Sequence, residues 1–79
     1  IGALQVEFAD EQHVLTLHKA DDGYELRLEQ AERDSVVWRA PFPALDEAKL
    51  AVSTADRSWT LVGLDNSTDS LLVISGTTD

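Results

Sequence analysis

The chain has 79 residues, 43% of them hydrophobic and 27% charged, and its 15 acidic and 6 basic side chains give a formal net charge of −9. This composition is typical of a globular domain, and the length allows one core and no second domain. The acidic balance disfavours direct binding of nucleic acid or of an anionic membrane. The sequence also lacks cysteine and any apolar run of membrane-spanning length.

The chain begins with Ile1 and contains no methionine. We therefore expect residues 1–79 to be a single domain excised from a longer or processed chain. No internal repeat, low-complexity tract or linker divides it. Its composition favours a soluble domain, with the cytoplasm as the favoured compartment.

The first two predicted strands follow from a two-residue alternation. Leu4, Val6 and Phe8 alternate with polar residues, which predicts a half-buried strand with these three side chains toward the core. A polar turn leads to a second strand over 13–19, whose two leucines share one face.

A hairpin signal precedes the third predicted strand. The segment Asp21–Gly23 ends in a glycine that can adopt positive φ. In the strand Tyr24–Gln30, the tyrosine and both leucines face inward, while Glu25, Arg27 and Glu29 face outward. Three strands joined by short turns predict an antiparallel meander.

The middle of the chain predicts a fourth strand and a helix. Val36–Trp38 has strand-forming residues, and we expect Pro41 and Pro43 to end that strand because proline cannot donate to a β-ladder. A helix over 44–55 follows from apolar residues at helical spacing and from acidic residues in its first turn, although no capping side chain marks its start. The helical set is Leu45, Ala48, Ala51, Val52 and Ala55.

Two further strands are predicted over Trp59–Leu64 and Leu71–Ser75, joined by a polar loop, with frayed residues 76–79 at the end. The predicted fold class is therefore α+β, a mainly antiparallel β-sheet of order β-β-β-β-α-β-β with one helix packed on one face. Trp38 and Trp59 flank the predicted helix, and we expect them to fix it against the sheet.

Candidate catalytic and metal-binding groups do not combine into a site. His13 and His18 are an odd number of residues apart on one strand, so they point to opposite faces and should not share a metal. The serines lack a nucleophile context, adjacent acids lie in solvated turns, and the four glycines are scattered. We expect no enzyme, no cofactor and no metal site.

The acidic surface favours a non-enzymatic protein-interaction domain, either an inhibitor or immunity-type protein or a module of a larger assembly, which docks on a basic protein partner. The candidate partner-binding residues are Glu25, Arg27, Glu29, Glu32 and Asp34. One alternative is a structural domain that self-associates through an open sheet edge. A second alternative is a small-ligand binder or enzyme, which needs a concave pocket. An uncovered sheet face would expose an apolar patch of Val14, Val62 or Leu64, and one tryptophan.

Overall fold

The computed structural model describes residues 3–33 and 35–78, and these form seven β-strands without a helix. The first four strands form one antiparallel sheet in chain order, and the last three form another. The predicted α+β class is therefore wrong, because the described chain is all-β. The strands are β1 (Gln5–Phe8), β2 (His13–Ala20), β3 (Gly23–Gln30), β4 (Val36–Pro43), β5 (Glu47–Ser53), β6 (Ser58–Asp65) and β7 (Ser70–Thr77).

The predicted helix over 44–55 is replaced by a loop, strand β5 and a turn. Ala48 and Val52 are four residues apart, a spacing that suits one face of a helix and one face of a strand equally. Leu50 lies between them on the same inward face and is buried. The two-residue period of these three residues, together with the absence of a capping residue, explains why the segment forms a strand.

Strand β4 continues through Pro41 and Pro43, so the prediction that they end it is wrong. The Ala9 N–H bonds to the His13 carbonyl, which fixes the alternation of hydrogen bonds across the antiparallel sheet. By that alternation, the backbone N–H and C=O groups of the even-numbered residues of β4 bond to β3, and those of the odd-numbered residues point away from β3. Both prolines occupy odd positions, where no partner strand needs an N–H.

The two sheets pack face to face around leucines and tryptophans. Trp38 on β4 and Trp59 on β6 have ring centroids 6.4 Å apart, and Phe42 meets Trp59 edge-on at 6.0 Å. The tryptophans therefore join sheet to sheet and not helix to sheet. The largest fully buried side chains are Leu15, Leu17, Leu26 and Leu61.

The orientation of β1 is opposite to the predicted one. Leu4, Val6 and Phe8 are 59%, 54% and 65% exposed, while Gln5 points into the space between the sheets. The Gln5 side chain donates to the Leu50 carbonyl at 2.6 Å and accepts from the Leu50 N–H at 2.9 Å. One amide thus bridges the edge of β1 to the edge of β5, which requires this strand to turn its polar face inward.

Two predictions are confirmed, namely the antiparallel meander of β1 to β3 and the inward faces of β2 and β3. The end of the chain is more ordered than predicted, because residues 76 and 77 belong to β7 and Thr78 is buried; Asp79 lies outside the described residues. The predicted β2–β3 hairpin is present, but Asp21 and Asp22 form its loop, and Gly23 begins β3 without a positive φ. No helix in the described part is long and apolar enough to cross a membrane.

Candidate protein-interaction surface

The predicted partner-binding residues lie on and beside the outward face of the four-stranded sheet. Glu25, Arg27 and Glu29 occupy alternate outward positions of β3, and Glu32 is exposed in the turn that follows. Asp34 lies outside the described residues. Glu29 and Glu32 border one open depression of about 350 Å³. The structure therefore gathers four of the five residues on one side of the domain.

Arginines offset the charge of these glutamates. The Glu25 carboxylate accepts a hydrogen bond from Nε of Arg27, and this bond holds the pKa of Glu25 below its usual value. Arg27 lies directly across from Arg39 on β4, and Arg33 lines the same depression as Glu32. Among the described residues, three glutamates and three arginines lie on this side, so their formal charges cancel.

A hydrogen-bonded chain crosses the same face from β2 to β3. Thr16 Oγ1 donates to Glu29 Oε2 at 2.5 Å, and His18 Nε2 lies 2.8 Å from the same hydroxyl oxygen. Thr16 is only 6% exposed. Because its proton is directed to the carboxylate and the residue is covered, the hydroxyl is not presented as a nucleophile. The arrangement stabilises strand pairing instead.

The two histidines have separate partners, as their odd separation predicts. His13 Nδ1 lies 3.0 Å from Asp10 Oδ1, whereas His18 contacts Thr16 on the outward face of the sheet. The pKa of Asp10 is lowered, chiefly by the backbone N–H of Gln12, which donates at 2.7 Å. Within residues 3–33 and 35–78, no three His, Asp or Glu side chains are grouped so that they could hold a metal ion.

Three loops converge at one end of the sandwich. The Asn66 N–H donates to Asp46 Oδ2 at 2.6 Å, which joins the β4–β5 loop to the β6–β7 turn. Tyr24, directly after the β2–β3 turn, donates through its hydroxyl to the Leu45 carbonyl at 3.2 Å. Lys19 is the basic residue that adjoins the β2–β3 turn. We call this region the acidic end, defined by Asp21, Asp22, Asp46, Glu47, Asp65 and Asp69.

The outward face of the three-stranded sheet carries apolar side chains next to the acidic end. Leu71 is 66% exposed, Val73 56% and Val62 37%. Val62 lies across from Val73, and Leu64 across from Leu71, so the four side chains form one patch. We call them the β6–β7 apolar patch. Glu47 lies across from Leu64 on the other side, which makes the patch and the acidic end continuous.

Sequence reasoning identified part of this surface. It named Val14, Val62 or Leu64, and one tryptophan as an exposed patch, and it did not include Leu71 and Val73. Val14 lies on the other sheet, and neither tryptophan is exposed. The signal was present in the unbroken apolar run Leu71–Ile74, which makes β7 apolar on both faces. The acidic end has no local signal, because its carboxylates come from separate loops.

No protein-family model, curated protein or solved structure matches this chain. The function is therefore argued from the surface groups themselves.

Proposed function

We propose that the chain is a non-enzymatic protein-interaction domain that docks on a basic protein partner through the β6–β7 apolar patch and the acidic end. The observation that supports this is the exposure of Leu71, Val73 and Val62 side by side, on a face that continues into the acidic end. Adjacent exposed apolar side chains on a small domain are typical of interaction sites. An inhibitor and a module of a larger assembly would both use such a surface.

The two parts of the surface make different contributions. Covering the exposed portions of one leucine and two valines would contribute about 1 kcal/mol per side chain, which is roughly half the value for full burial. The carboxylates of the acidic end, such as Glu47 and Asp69, would raise the association rate and orient the partner. The matching partner surface is an apolar patch bordered by lysine or arginine.

The Glu25–Glu32 side remains a prediction from the sequence, and the structure gives a reason to rank it second. Its glutamates are offset by Arg27, Arg33 and Arg39. Among the described residues, the acidic end has six carboxylates, and the basic side chains nearest to it along the chain are Lys19, before the β2–β3 turn, and Lys49, across from Val62. A basic partner would therefore be attracted more strongly to the acidic end.

The proposal is tested by capture of partners from a lysate of the source organism with the tagged domain and matched variants. Leu71→Ser should remove the captured protein, whereas Phe8→Ser should not, although Leu71 and Phe8 are equally exposed, at 66% and 65%. Glu47→Lys should weaken capture more than Glu32→Lys. Washing from about 0.1 M to about 1 M salt shortens the screening length from about 10 Å to about 3 Å and should release a basic partner.

The captured protein is then purified and titrated against each variant, so that the result concerns one defined complex. A complex weakened by Phe8→Ser and Glu32→Lys, but not by Leu71→Ser and Glu47→Lys, would place docking on the four-stranded sheet and contradict the surface proposed here. A complex that all four variants leave unchanged would contradict both surfaces.

A further inference from the structure

The outer edge of β7 presents backbone groups that pair with no other strand of residues 3–33 and 35–78. The Thr78 N–H donates to the Arg57 carbonyl at 2.9 Å, in register with the β6–β7 ladder. By the alternation of an antiparallel pair, the even-numbered residues of β7 bond to β6. Leu71, Val73 and Ser75 then direct their N–H and C=O groups away from β6, where the described residues form no further strand pairing.

The far end of this edge is already occupied. The carbonyl of Thr77 accepts a hydrogen bond from the indole N–H of Trp59 at 3.3 Å. The Trp59 ring reaches it by passing beneath Gly76, where an added Cβ would lie 2.6 Å from the ring. The groups available for pairing are therefore centred on Val73.

The composition of β7 suits pairing with another strand. Ser70–Thr77 contains no proline and no charged side chain. Strand β4, one of the two edge strands of the other sheet, contains Arg39, Pro41 and Pro43, and natural proteins use such residues to prevent edge pairing. The two edges thus differ in the features that permit or block strand addition.

We propose that β7 pairs antiparallel with β7 of a second copy of this chain, giving a continuous six-stranded sheet across a two-fold axis. Val73 would lie opposite Val73 of the second copy, and Leu71 opposite Ser75. This register pairs the outward N–H and C=O groups of Leu71, Val73 and Ser75 in about six hydrogen bonds. It leaves the Thr77 carbonyl bonded to the Trp59 indole. A two-fold interface of this kind closes at the dimer.

Charge favours the antiparallel arrangement. Each copy carries a formal charge of −9, and β7 begins at the acidic end beside Asp69. Antiparallel pairing sets the two acidic ends at opposite ends of the joined sheet, whereas parallel pairing would bring them together. The β6–β7 apolar patches would meet across the axis while remaining outward, so the dimer is compatible with the proposed docking and goes beyond it.

The test compares Ser75→Pro with Ser75→Thr by sedimentation equilibrium. The chain mass is 8.7 kDa, and the wild type and Ser75→Thr should approach twice that mass as concentration rises. Ser75→Pro removes an N–H that faces the free edge, so it should raise the dimer dissociation constant at least about tenfold while the far-UV spectrum stays that of a folded β-protein.

Amide hydrogen exchange on the wild type provides a readout that needs no variant. The N–H groups of Leu71 and Val73 should gain protection as dilute monomer is concentrated to dimer. A wild type that stays monomeric at about 1 mM would overturn the inference, as would a Ser75→Pro variant that dimerises as tightly as Ser75→Thr.

Salt separates this inference from the docking proposal. Two copies of charge −9 repel each other, so added salt should strengthen the dimer. Docking on a basic partner is an attraction between opposite charges, which salt weakens. Because added salt acts on the two complexes in opposite directions, either proposal can fail in its own test while the other holds.

Discussion

The outward face of the four-stranded sheet carries Glu25, Arg27 and Glu29 along β3, whereas that of the three-stranded sheet carries Leu71 and Val73 along β7. In the first case the charged side chains are held by one another and by neighbours on adjacent strands. In the second case the side chains are apolar and exposed. Strands β3 and β7 thus present different surfaces to a partner, and the β1 region adds the exposed side chains of Leu4, Val6 and Phe8 beside the charged ones of the four-stranded sheet.

The edges of the two sheets follow the same division. On one side of the sandwich, Gln5 fastens β1 to β5 through both polar groups of its amide. On the other side, β4 carries prolines, whereas no strand among the described residues pairs with the outer edge of β7 from Leu71 to Ser75. The core determines which faces point inward, so the properties of outward faces and edges report more directly on what the domain contacts.

Alanine substitutions of three glycines should have the largest effects on stability, and they compare how easily the two sheets accommodate an added methyl group. An alanine at Gly23 would place its Cβ 2.1 Å from the Phe42 carbonyl oxygen, and the backbone of a paired strand cannot move away. An alanine at Gly76 would meet the Trp59 ring at 2.6 Å, and one at Gly63 would meet the end of the Leu45 side chain at 2.2 Å. We expect losses in the free energy of unfolding of about 3 kcal/mol at Gly23, about 2 at Gly76 and about 1 at Gly63.

Urea unfolding of the three alanine variants checks this order. The expected order follows from what each added Cβ meets, which is backbone at Gly23, a packed ring at Gly76 and a flexible side chain at Gly63. A Gly63→Ala variant as unstable as Gly23→Ala would show that the three-stranded sheet adapts no more easily than the four-stranded one.

The Gln5 bridge gives the next largest expected effect. Gln5→Glu keeps the shape and the acceptor for the Leu50 N–H, but it removes the donor to the Leu50 carbonyl and sets a second carboxylate beside Glu7. We expect a loss of about 2 kcal/mol in urea unfolding, because a partly buried carbonyl loses its partner. Gln12→Glu, in an exposed turn, is the matched control and should change stability by less than about 0.5 kcal/mol.

Residue alternation predicted β2 and β3 correctly because each has one buried and one outward face, and the leucines alone define the buried one. Alternation shows which residues share a face, but not which face points inward. In β1 the polar face turned inward because Gln5 finds Leu50, a partner 45 residues away. Such a contact exists only after both sheets have formed.

The β5 error and the missed acidic end have related causes. A spacing of four, as between Ala48 and Val52, fits a helix and a strand, and a window of a few residues contains little else to decide between them. The acidic end depends on Asp46, directly before β5, reaching Asn66, directly after β6 and 20 residues away, which no local pattern encodes. The apolar patch was partly predictable, since β7 is apolar on both faces.

The smallest expected effects concern acid and salt, and they distinguish the carboxylates of the two sheets. In the three-stranded sheet, the hydroxyl of Ser58 lowers the pKa of Asp56, and that of Ser67 lowers the pKa of Asp65. In the four-stranded sheet, the pKa of Glu25 is lowered by a hydrogen bond from charged Arg27. The first two cases depend on neutral donors and the third on an ion pair.

Because all three pKa values are lower in the folded state, their contribution to stability is complete above the unfolded value of about 4 and is lost as the pH falls through the folded values. Raising the salt from about 0.1 M to about 1 M should move the pKa of Glu25 up toward its usual value, while the pKa values of Asp56 and Asp65 stay the same. NMR titration of the carboxyl groups at both salt concentrations measures this. An equal upward response of all three would contradict the assignment of the Asp56 and Asp65 shifts to neutral hydroxyl donors. The charged face of the four-stranded sheet would then lose its electrostatic distinction from the three-stranded sheet.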